Sequence, residues 1–135
     1  MIKINTSRFG ILEADEKKII DFSDGLIGIP DLKRFILIDH KDTPLKWLQA
    51  VDDPDIAFIV APPDLLAAEY SIDIDKPVKK HLQIDDNDEN TVILVIVRVS
   101  GDDVIANFHG PLIINAANRK GVQIVLERSQ KLTVG

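Results

Sequence analysis

The chain has 135 residues, of which 45% are hydrophobic and 28% charged, with no cysteine and a formal net charge of −6 at pH 7. That size and mixture predict one globular domain spanning 1–135, not a disordered chain, with enough length for its own apolar core. The missing cysteines exclude a disulfide framework, a thiolate zinc site and a cysteine nucleophile, and they fit a reducing cytoplasm.

The acidic balance repels phosphate backbones, so no direct nucleic-acid binding is expected, and basic partners are favoured instead. The start, "MIKINTSRFG", lacks the apolar centre of a signal peptide. The longest apolar run, Val92 to Val97, is far too short to cross a bilayer. No membrane association is expected.

Most segments read with a period of two, which indicates half-buried strands. "IKINT" alternates from Ile2, and "KKIIDF" places Ile20 and Phe22 on one face. "FSDGLIGIP" follows, where Gly25 and Gly28 are expected to supply unusual φ in a tight connection. "PDLKR", 30 to 34, predicts a single helical turn. "RFILIDH" sets Phe35 and Leu37 opposite Ile36 and Ile38, and "LKWLQAV" aligns Leu45, Trp47 and Val51. That apolar alignment predicts Trp47 as a core residue rather than an interface anchor.

"WLQAVDDPDIAFIV" carries Asp52, Asp53 and Asp55 between two strands. Asp53-Pro54-Asp55 has the chemistry of a type I turn, because proline presets φ and the aspartate accepts a backbone hydrogen bond. A calcium loop would need the D-x-D-x-D-G spacing and a later Glu, both absent. The acids are therefore expected to close a hairpin and face water, and no metal is predicted there.

"PDLL", 63 to 66, predicts one further turn, and "YSIDI", 70 to 74, another strand. "DKPVKKHLQI" breaks the alternation. Asp75 suits an N-cap, Pro77 the first turn, and Val78, His81 and Leu82 fall at helical spacing, so one short helix is predicted near 75–84. "DDNDEN", 85 to 90, reads as a solvated loop. "VILVIVRV" is apolar on both faces and β-branched, which marks a central strand. In "VIANFHGPLIINAANRKG", Asn107 and Asn115 are expected to tie backbone at a bulge where Gly110-Pro111 bends the chain. "GVQIVLER" aligns Val122, Ile124 and Leu126. The fold class is mainly β: a small antiparallel β-barrel-like single domain with one short helix.

No catalytic constellation emerges. His40, His81 and His109 form no H-E-x-x-H pair, none of the serines lies in G-x-S-x-G or S-x-x-K, and the glycines build no phosphate cradle. The residues favour a binding protein without cofactor or metal over an enzyme. A small-ligand carrier or enzyme using a barrel pocket is the alternative.

Three blocks in order, "DFSDGLIGIPDLKRFILID", "WLQAVDDPDIAFIVAPP" and "NFHGPLIINAANRKGVQIVL", resemble the flagellar assembly factor FliW family. The most specific features are Trp47-Leu48-Gln49 followed by Val51-Asp52-Asp53-Pro54, and then Asn107, Pro111, Asn115 and Gln123. The sequence departs from the family pattern at Ile29-Pro30 and at His109-Gly110. The resemblance implies a cytoplasmic, chaperone-like partner switch that is monomeric when free. Such a protein binds flagellin. When flagellin is exported, it captures and antagonises the translational repressor CsrA, and repression of flagellin synthesis is relieved. Asp85, Asp86 and Asp88, beyond the far end of the predicted helix, are the candidate acids for steering a basic repressor.

Overall fold

The computed structural model describes residues 1–67, 70–85 and 89–126. Ten strands and one short helix follow in the order β1 (Ile2–Thr6), β2 (Gly10–Ala14), β3 (Ile20–Phe22), β4 (Arg34–Asp39), β5 (Lys46–Ala50), β6 (Ala57–Ala61), α1 (Lys76–Leu82), β7 (Thr91–Ser100), β8 (Asp103–Ala106), β9 (Leu112–Asn115) and β10 (Lys120–Gln123). Single 3-10 turns sit at Glu16–Lys18 and Pro63–Leu65.

Seven strands close on themselves in the order β6-β5-β4-β3-β10-β9-β7, with β6 paired back to β7. The barrel is antiparallel except at one seam, where β10 runs parallel to β3. Closure leaves no free edge in the ring. The second half of β7 runs past the ring and carries β8 as a hairpin extension, with Ser100 opposite Asp103.

Alternation along each strand sends one row inward and one row outward. The inner core holds Phe22, Phe35, Leu48, Val60, Leu94 and Leu112, each between 0% and 4% exposed. The Phe22 and Phe35 rings meet edge-on, 5.6 Å apart and 85° to each other. Gly121 faces this pair from β10, and a Cβ there would lie 2.6 Å from the Phe22 ring. The glycine makes room for the aromatic.

The outward row is also apolar, because three external covers lie on it. The β1–β2 hairpin packs Ile4 and Ala14 on Ile36 of β4. The turn after β6 and Phe108 cover Ala61, Val95 and Val97. The segment through Ile72, Ile74 and α1 covers Ile113 of β9 and Val122 of β10. Double-sided strands therefore arise in a chain of only 135 residues.

The helix forms where its caps predict. The Asp75 carboxylate accepts from the Val78 N–H at 3.1 Å, and Gln83 ends the helix in the left-handed region at φ 59°. Two expected elements differ. Residues 70–74 form no strand and join no ladder; Ile72 and Ile74 pack on the barrel exterior instead. Residues 30–34 make a tight turn and then enter β4, with no helical turn.

Candidate partner-binding surface

The hairpin tip between β5 and β6 is a turn, as its proline predicts. The Ile56 N–H reaches the Asp53 carbonyl at 3.3 Å, and the Asp53 side chain accepts from the Asp55 N–H at 3.0 Å. The three acids are dispersed in role. Asp52 takes two hydrogen bonds from Arg34, at 2.6 and 3.0 Å, and Asp55 accepts from the Ser7 hydroxyl. The Arg34 bonds hold the Asp52 carboxyl below the usual carboxylate range, and Asp52 in turn raises Arg34. The acids thus pin the tip to β4 and to the β1–β2 hairpin. Among the described residues no group of three His, Asp or Glu side chains converges as a metal site would require.

Sequence reasoning placed Gln49 in the Trp47-Leu48-Gln49 block but gave it no role of its own. Its side chain is fully buried behind this tip, and its Nε2 donates to the Ala50 carbonyl at 3.0 Å and the Ile56 carbonyl at 3.1 Å. A glutamine in an apolar strand next to a proline turn was the available signal, since a buried amide must find backbone partners.

The glycine and asparagine positions act structurally. Gly25 and Gly28 have φ of 68° and 90°, and a Cβ on Gly25 would overlap the Pro30 backbone at 2.4 Å. Asn115 is buried; its Nδ2 donates to the Leu82 carbonyl at 2.8 Å and its Oδ1 accepts from the Ala117 N–H at 2.9 Å. Asn118 donates to the same carbonyl at 3.0 Å. Together they satisfy the last turn of α1 from the β9–β10 hairpin. Asn107 instead lies exposed just after β8, with its backbone N–H on the Ile96 carbonyl, and the segment to β9 is a turn rather than the expected bulge.

The histidines stay apart. His40 lies against Trp47, His81 bonds the Ser23 hydroxyl at 2.9 Å, and His109 is exposed in the β8–β9 turn. Tyr70 is partly buried against Phe108 and donates to that residue's carbonyl at 2.7 Å; burial pushes its phenol up to about 12.

Trp47 is not a core residue. It is half-buried on the outer face of β5, while Leu48 and Ala50 fill the inside. Phe9 meets the indole edge-on at 5.8 Å and the Arg8 guanidinium lies 4.3 Å above it. Period-two alternation identifies a face but cannot say which face of a barrel it is, and here both are apolar.

From Trp47 an apolar row crosses four strands. Trp47 is opposite Ile59, Ile59 opposite Val97, and Val97 opposite Ala106. Beyond this row β7 and β8 leave Val99, Val104 and Ile105 at 54%, 55% and 47% exposed, three large apolar side chains in one hairpin. The result is an open groove of about 710 Å³ with Trp47 and Arg8 at one wall and Ile105 at the other. It has a protein-docking character, with apolar floor and sparse polar groups.

The predicted steering acids are less complete. Asp85 is exposed just beyond α1, and Asp86 and Asp88 lie outside the described residues.

A sequence profile of the FliW protein family matches residues 3–134. The chain belongs to the FliW family. A flagellar assembly factor FliW from Caldanaerobacter subterraneus subsp. tengcongensis is 36% identical over 134 residues, covering 97% of this chain and 89% of that protein. The FliW of Thermoanaerobacter pseudethanolicus is 38% identical with the same coverage of both chains. A crystal structure of the flagellar assembly factor FliW superposes with a TM-score of 0.88 at 33% identity, covering 98% of this chain and 94% of the other. FliW relatives are thus named as assembly factors, a non-enzymatic role. No described helix is long and apolar enough to cross a membrane.

Proposed function

We propose that this protein is a cytoplasmic flagellar assembly factor that holds flagellin and, once flagellin has been exported, binds and antagonises the translational repressor CsrA. Membership of the FliW family across nearly the whole chain carries this reading. The surface is compatible with it. A net charge of −6 suits a basic, RNA-binding repressor, and the apolar groove beside Trp47 suits a protein client.

Steering of the repressor falls to the acids after α1, namely Asp85, Asp86 and Asp88. Surface charge acts mainly on association rate. The free protein is a monomer in this scheme, needs no cofactor or metal, and contacts neither nucleic acid nor membrane directly.

The test is calorimetry of the purified protein with monomeric flagellin and with CsrA, followed by competition. Each partner should bind, and flagellin should displace CsrA. Addition of the protein to a CsrA-repressed translation reaction should restore flagellin synthesis, and excess flagellin should reverse that. Failure of both partners to bind would sink the reading. A triple Asp85→Asn, Asp86→Asn, Asp88→Asn variant should slow CsrA association at low salt and leave flagellin nearly unaffected.

A further inference from the structure

The groove bordered by β5 to β8 has a charge pattern at odds with the rest of the molecule. The protein carries 22 acidic against 16 basic residues, yet among the described residues the charged ones lining this groove are Arg8 and Arg98, with no acid. Neither arginine has a carboxylate partner among the described residues. Arg8 is held in place by the Trp47 ring rather than by an ion pair. Ile59 and Val99 lie on the groove floor, and Val99 is more than half exposed.

We infer that this groove is the client site, and that it takes a segment of flagellin in which apolar side chains alternate with carboxylates. The inference rests on the proposed flagellin reading. Apolar side chains of the segment cover Ile59 and Val99, and its carboxylates pair with Arg8 and Arg98 as the rim dries. The same cations repel a basic repressor, so CsrA is excluded from this face and engages acidic surface elsewhere. The chain's own terminal residues 127–135 suit the groove poorly, because Arg128 and Lys131 outnumber Glu127.

Two variants of the full-length protein test this against monomeric flagellin and CsrA by calorimetry at low and high salt. Val99→Asp removes apolar cover at an exposed position, and Arg8→Glu with Arg98→Glu reverses the rim charge without touching the floor. Melting curves confirm that each is folded. Each should weaken flagellin at least roughly tenfold, with the arginine variant's loss shrinking at high salt, while CsrA affinity stays within about twofold. Unchanged flagellin affinity in both folded variants, with wild type binding, overturns the groove alone. Wild type that binds no flagellin overturns the functional reading and the groove with it. Loss of CsrA rather than flagellin would make this the repressor's face. A wild-type dimer that Val99→Asp dissolves would assign the groove to a second copy, and a Leu132→Asp variant that binds flagellin tighter would assign it to the chain's own terminus. Either result overturns the inference.

Discussion

Replacing Gly121 by alanine tests the packing logic of the barrel in one methyl group. Gly121 lies opposite Phe22 at the single parallel seam, and the added Cβ would sit 2.6, 2.9 and 3.0 Å from three ring carbons. Phe22 is wholly buried and locked edge-on against Phe35, so the ring has no free space to enter. Overpacking of this kind costs about 1–3 kcal/mol. For a chain of this length each 1 kcal/mol corresponds to roughly 3–5 °C in melting temperature. Gly121→Ala should therefore melt several degrees below wild type, although alanine is the better strand residue. Thermal unfolding followed by the fluorescence of Trp47, the sole tryptophan, gives the readout. Phe22→Leu supplies the control. It loses stability by itself through the cavity it leaves, but in that background the alanine penalty should shrink by about 1 kcal/mol or more. A Gly121→Ala cost below about 0.5 kcal/mol would refute the reasoning, since that is the scatter of innocuous surface changes. So would an equal cost in both backgrounds.

Asn115→Leu removes one of the two amides that donate to the Leu82 carbonyl and the side-chain acceptor of the Ala117 N–H, and should cost about 0.5–1.5 kcal/mol in denaturant unfolding. Amides of α1 should exchange faster, and unchanged exchange would argue against the capping role. Trp47→Ala should cost less than the ~3–5 kcal/mol of a core aromatic, because the indole is only partly buried, on the outer face; a loss in that full range from chemical denaturation would restore the core reading. Tyr70 is the only tyrosine, so its ultraviolet titration is unambiguous. With the folded phenol at about 12 and the unfolded one near 10, the native state holds its proton more tightly. That contribution to stability is fully present below pH 10 and is lost as pH rises through 12. A midpoint near 10 in protein that is still folded by circular dichroism would contradict the burial.

Much of the fold was legible in the chain because its signals are local. Pro54 between Asp53 and Asp55 makes a turn whatever surrounds it, Asp75 and Pro77 start a helix through their own hydrogen bonds and ring, and alternation in "RFILID" separates Phe35 from Ile36 by the pleat alone. Family membership was equally legible, in the order and spacing of three blocks. Tertiary structure decided everything that depends on what lies across a face. Whether an apolar row points into the barrel or out under a hairpin is set by closure, so Trp47 and Leu48 could be placed on opposite faces but neither assigned to the interior. Residues 70–74 carry the same alternation as a strand, yet no ladder edge reaches them, and they become a cover. Gln49 and Asn115 look alike in sequence as polar residues in apolar strands; only the turn beside one and the helix end beside the other give each amide nitrogen its acceptors. The groove between Arg8 and Arg98 unites residues ninety positions apart, a juxtaposition created by the β5–β8 ladder and by the β1–β2 turn that sets Arg8 on Trp47, and invisible to any local pattern.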